Sequence, residues 1–79
     1  MTQEDALKII GRSVSIVLEG EVPIQPGQDL VNDGILDSLE YVRFTQQLEK
    51  ETGGAVDADA LAEDEISQVD VLIRKLSDA

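Results

Sequence analysis

Ser38 stands in the stretch GILDSLEYV, residues 34–42, with Asp37 before it and Glu40 two positions beyond. The chain has no histidine, cysteine or tryptophan, so acid–base or nucleophilic chemistry would fall to Asp, Glu, Lys, Ser or Tyr. A serine hydroxyl is a weak nucleophile until a base activates it, and Ser38 has only carboxylates beside it. A serine so placed reads as the substrate of another enzyme. The structural alternative is a helix N-cap, a position serine favours and where its loss costs ~1 kcal/mol. Leu39 and Val42 lie off the expected core face of the same helix, where apolar residues either contact a partner or pack at the edge of the core against the long loop.

A second chemistry overlaps the same stretch. In DLVNDGILDSLE, residues 29–40, Asp29, Asp33, Gly34 and Glu40 fall on positions one, five, six and twelve of a calcium loop, with Leu36 at its apolar position. Val31 occupies position three, which needs an oxygen ligand. Pro23, Pro26 and Gly27 break the helix that would have to enter the loop, and no second loop pairs with this one. The match is read as fortuitous.

The elements that hold these residues follow from periodicity. Leu7, Ile10, Val14, Val17 and Leu18 recur at helical spacing, predicting helix I over residues 3–19, started by Thr2 with Asp5 and stopped by Gly20. Ile9 and Ile16 lie nearly opposite that face, which predicts cover on two sides. Residues 20–36 carry both prolines and form a long loop, pinned to the core by Val22, Ile24, Leu30, Val31, Ile35 and Leu36. The second helix is expected from Ser38 to Thr52, ending at Gly53-Gly54. Tyr41, Phe44 and Leu48 form its core face, and Leu39, Val42 and Gln46 a separate one. A short helical turn is expected near Ala58–Ala62. A last amphipathic helix follows through Val69, Leu72, Ile73 and Leu76, capped by Ser67 and closed by Arg74 and Lys75. The fold class is all-α: a small four-helix bundle of three longer helices and one short one, with the long loop between helices I and II.

Length and charge bound the function. Seventy-nine residues make a single domain, 1–79, with 42% apolar content and no disulfides to brace it. Seventeen acidic residues against six basic give a net charge of −11, which repels nucleic acid and anionic membranes; it suits basic protein patches and equally serves the solubility of a small domain. With no signal segment and no apolar run long enough to span a membrane, a cytoplasmic monomer without membrane insertion is expected. A chain this short hardly builds a cleft around its carboxylates, so it is not expected to be an enzyme.

The stretch GILDSLEYVRFTQQLEKETG resembles the prosthetic-group site and second helix of acyl carrier proteins and their aminoacyl and peptidyl relatives. The family's Asp-Ser-Leu motif is matched by Asp37-Ser38-Leu39, preceded by Gly34 and Leu36, and ISQVDVLIRKL is similar to its last helix. The resemblance covers nearly the whole chain. It implies a free-standing carrier whose Ser38 receives 4′-phosphopantetheine from coenzyme A through a phosphopantetheinyl transferase. An acyl or aminoacyl group is then held as a thioester for a loading enzyme and a downstream synthase or transferase. It further implies that Asp37, Leu39, Glu40, Val42, Arg43 and Gln46 meet those partners. Carriers of fatty-acid synthesis tend to have an acidic residue where Arg43 stands and an apolar one where Gln46 stands. Thr45, Gln47 and Thr52 are also more polar than that group's pattern. The DGILDS form is closer to carriers of amino-acid activation, such as D-alanyl carriers, or of specialised-metabolite biosynthesis.

Overall fold

A computed structural model describes residues 1–78. Four helices run in the order α1 (Gln3–Leu18), α2 (Ser38–Glu51), α3 (Ala58–Glu63) and α4 (Val69–Ser77). α1 packs against both α2 and α4, and α3 against α2. The expected all-helical bundle of three longer helices and one short one is therefore present.

α1 begins as its sequence directs, with the Thr2 hydroxyl accepting from the Asp5 amide at 3.1 Å. Ala6, Ile10 and Val14 are fully buried. Leu7, Ile9, Val17 and Leu18 pack around that core, whereas Ile16 is 46% exposed. The second covered side therefore reaches Ile9 but not Ile16. The helix stops one residue before the expected glycine. Glu19 takes the left-handed conformation, φ 55°, and the Gly20 amide donates to the Ser15 carbonyl at 3.0 Å.

The loop from residue 19 to 37 has no regular structure, yet both its ends and its middle are fixed. Leu30 and Leu36 are buried, and Val22, Ile24, Val31 and Ile35 pack partly against the core, as their apolar character requires. The Leu30 amide donates to the Ser67 carbonyl at 2.8 Å and the Val69 amide to the Gln28 carbonyl at 3.0 Å. This single antiparallel bridge clips the loop to the start of α4. Gly34, at φ 76°, allows the final turn into α2, where most side chains would be strained.

α2 buries Tyr41, Phe44, Thr45 and Leu48 and ends at Glu51, one residue short of the expected Thr52, with Gly53-Gly54 at positive φ just beyond. Thr45 sits in the core at 1% exposure because its hydroxyl donates to the Val42 carbonyl at 2.7 Å. α3 is too short to be stable alone. It is held by burial of Val56, Ala58 and Leu61, by the Asp57 cap, and by Glu49, whose carboxylate accepts from the Ala58 amide at 3.1 Å. α4 buries Val69, Leu72, Ile73 and Leu76. Its expected Ser67 cap is absent: Gln68 holds the N-cap position without a side-chain bond, and Ser67 turns toward the loop instead.

Candidate functional site around Ser38

Two residues at the start of α2 are good caps, and the structure assigns the role to Asp37. Its carboxylate accepts from the Glu40 amide at 2.7 Å, and the Glu40 carboxylate accepts from the Asp37 amide at 2.9 Å. That reciprocal capping box leaves Ser38 as the first helical residue. The alternative of Ser38 as the cap is thereby corrected: its exposed hydroxyl makes no hydrogen bond among the described residues. The sequence carries the signal, since Asp-x-x-Glu has capping-box spacing and Ser-x-x-Tyr does not.

Leu39 is 63% and Val42 41% exposed, so both stand on the solvent face expected of them. Arg43 and Gln46 are exposed beside them. Asp37 is exposed and Glu40 half-buried, each tied into the cap.

A cleft of about 360 Å³ opens next to Ser38. Val31 and Asn32 of the loop form one side, Ser38, Tyr41 and Val42 of α2 a second, and Ala62, Glu65 and Ser67 the third. Its lining mixes methyl groups with amide, hydroxyl and carboxylate groups. A larger groove of about 680 Å³ runs between α1, the loop and α4, past Leu7, Pro26 and Ile73. It shares no residue with the Ser38 cleft and has no hydroxyl side chain in its lining.

Tyr41 closes the cleft from below. Its hydroxyl lies 2.8 Å from the Leu61 carbonyl and 2.7 Å from that of Ile66, and its one proton is shared between them. Burial, reinforced by the charge of Glu65, pushes the phenol up to about 12. Tyr41 therefore acts as a neutral tie from α2 to α3 at Leu61 and to the α3–α4 connection at Ile66. Its place on the core face was expected; the two carbonyls, 20 and 25 residues away, were not.

Asp29 organises the loop wall. Its carboxylate accepts from the amides of Val31 at 3.1 Å and Asn32 at 2.9 Å, the Asn32 side chain at 2.9 Å and the Ser67 hydroxyl at 2.7 Å. The Asn32 amide does most to hold this carboxyl below its usual value, and burial opposes it. The Asp33 carboxylate in turn accepts from the Asp29 amide at 2.8 Å. The three carboxylates that suggested a calcium loop, Asp29, Asp33 and Glu40, are thus all engaged with backbone amides. Among the described residues no cluster of three or more His, Cys, Asp or Glu side chains is arranged to hold a metal.

No helix among the described residues is long and apolar enough to cross a membrane. Comparison of the chain with protein-family models, with curated proteins and with solved structures gives no match.

Proposed function

We propose that this chain is a carrier protein that bears 4′-phosphopantetheine on Ser38. On that arm it tethers an acyl or aminoacyl group as a thioester for delivery to partner enzymes. The observation that carries the proposal is the division of roles at the start of α2: Asp37 does the capping, and Ser38 presents a hydroxyl with no partner among the described residues. A serine retained only for helix stability would occupy the cap.

The surroundings fit the arm. The cleft beside Ser38 pairs Val31, Val42 and Ala62 with Asn32 and Ser67, which suits a chain of amides interrupted by methyl and methylene groups. Ser38 also lies at the positive end of the α2 dipole, which favours a phosphodiester at that oxygen. When bound, the arm supplies a terminal thiol, which this cysteine-free chain lacks. The chain's own part is positional: the capping box fixes the direction of Ser38, and the clipped loop fixes the cleft wall. Attachment breaks the pyrophosphate bond of coenzyme A, forms a phosphodiester at Ser38 Oγ, and releases adenosine bisphosphate. The hydroxyl proton goes to a base of the transferase, since no base among the described residues bonds to Ser38. Tethering raises the local concentration of the intermediate at each partner's site.

The resemblance of GILDSLEYV to carrier motifs supports the same reading, and the DGILDS form favours amino-acid activation or specialised-metabolite biosynthesis over fatty-acid synthesis. A plain interaction domain would also use exposed Leu39 and Val42, but it gives the free Ser38 hydroxyl no task. Labelling separates the two. With a fluorescent coenzyme A conjugate and a broad-specificity phosphopantetheinyl transferase, label is expected on Ser38 alone by fragmentation of the tryptic peptide. Label on another serine, or none, refutes the carrier reading.

A further inference from the structure

One face of α2 differs in sign from the molecule, although the helix as a whole, with Glu40, Glu49 and Glu51 against Arg43 and Lys50, stays acidic. Of the six basic residues, Lys8 pairs with Glu4 at 3.8 Å and Arg12 with Glu51 at 3.7 Å. Among the described residues Arg43, Lys50, Arg74 and Lys75 form no ion pair. Arg74, Lys75 and Lys50 lie in last turns, where they offset the carbonyl end of their helices. Arg43, in mid-helix, has no such role.

At 3.6 residues per turn, Leu39, Arg43, Gln46 and Lys50 fall on one stripe with Val42 at its edge, and all five are exposed. The carboxylates of α2 are each engaged, including that of Glu49, which shares the edge of the stripe with Val42. Glu40 closes the capping box, Glu49 accepts from the Ala58 amide, and Glu51 meets Gln47 and Arg12. The stripe therefore shows two cations around two apolar side chains and no free carboxylate. The opposite sign begins across the Ser38 cleft, where Glu65 faces Val42 and Asp59, Glu63 and Asp64 are exposed.

We infer that α2 docks on a protein surface that carries carboxylates around a small apolar depression, and not on a basic patch. The inference rests on the carrier reading for the existence of a docking partner. Leu39 and Val42 fill the depression, while Arg43 and Lys50 meet the carboxylates. At physiological salt, charges are screened over about 8 Å, so a partner in contact reads the local sign of the stripe and not the molecular total. The same total of −11 opposes phosphate polymers and anionic lipid, which are recognised through summed charge.

The test uses two defined probes, soluble helical peptides of leucine with glutamate and of leucine with lysine, titrated into the isotopically labelled protein and followed by amide NMR shifts. The glutamate peptide is expected to move the amides of Leu39, Val42, Arg43, Gln46 and Lys50. Its binding should weaken about tenfold in the doubly neutralised variant R43Q/K50Q, whose substitutions are exposed and leave the core intact. The lysine peptide should move the Asp59–Glu65 side instead. The inference is overturned if the glutamate peptide leaves α2 unmoved, if R43Q/K50Q binds it equally well, or if the lysine peptide or phosphatidylglycerol vesicles take the stripe more tightly. Labelling of Ser38 is scored separately on the same samples. A failed carrier reading then shows as unlabelled protein, and a failed docking inference as labelled protein with an unresponsive stripe.

Discussion

Asp37 and Ser38 compete for one geometric position, and the residue three places on decides between them. Glu40 can return a hydrogen bond to the Asp37 amide, whereas Tyr41 is needed in the core and could return none to Ser38. Removal of the cap, Asp37→Ala, is therefore expected to cost about 1 kcal/mol in urea unfolding, while Ser38→Ala costs only a few tenths. The reverse order would restore Ser38 as the cap. Tyr41 offers a second check at this scale. Its folded pKa lies above the unfolded value near 10, so its contribution is whole below that pH and is lost as pH rises toward about 12. The urea midpoint should fall across this window in the native protein. Tyr41→Phe should lower stability by about 1 kcal/mol at neutral pH and remove that part of the alkaline loss. An equal alkaline loss in the variant would show that the phenol is not the group responsible.

At the scale of elements, the helices were legible because apolar spacing and punctuation agreed. Leu7 to Leu18, Tyr41 to Leu48 and Val69 to Leu76 each carry a helical repeat, and α2 stops before Gly53-Gly54, within one residue of the expected end. Contacts distant in sequence were not legible. Ser67 has the local chemistry of a cap, yet its hydroxyl binds Asp29, 38 residues earlier, where a loop carboxylate needed another donor. For the same reason the acidic spacing of residues 29–40 imitated a metal loop: carboxylates that cap turns recur at short intervals. The clip between loop and α4 can be tested by Ser67→Ala, expected to cost about 1 kcal/mol. Because the Asp29 carboxyl lies below its ordinary 3.8, it stabilises the fold above that pH, and the contribution is lost as pH falls below it. An NMR titration should show the Asp29 carboxyl moving up in Ser67→Ala. An unchanged titration would mean that Ser67 contributes nothing to the wall of the cleft.

Across the whole molecule the dominant quantity is charge. A net −11 on so small a surface repels itself, so salt that screens it should stabilise the fold. The melting temperature is expected to rise between about 0.01 M and about 0.15 M sodium chloride; a constant or falling value would mean that the carboxylates are already balanced locally. The carrier account sets the free Ser38 hydroxyl within that charge, beside a cleft walled on three sides by the loop, α2 and the residues around the α3–α4 connection. Its most direct test is the intact mass of the apo-protein after incubation with coenzyme A and a broad-specificity phosphopantetheinyl transferase. The account expects the mass to increase by one phosphopantetheine arm, with no increase in Ser38→Ala. An unchanged mass in the native protein, or the same gain in Ser38→Ala, would contradict it.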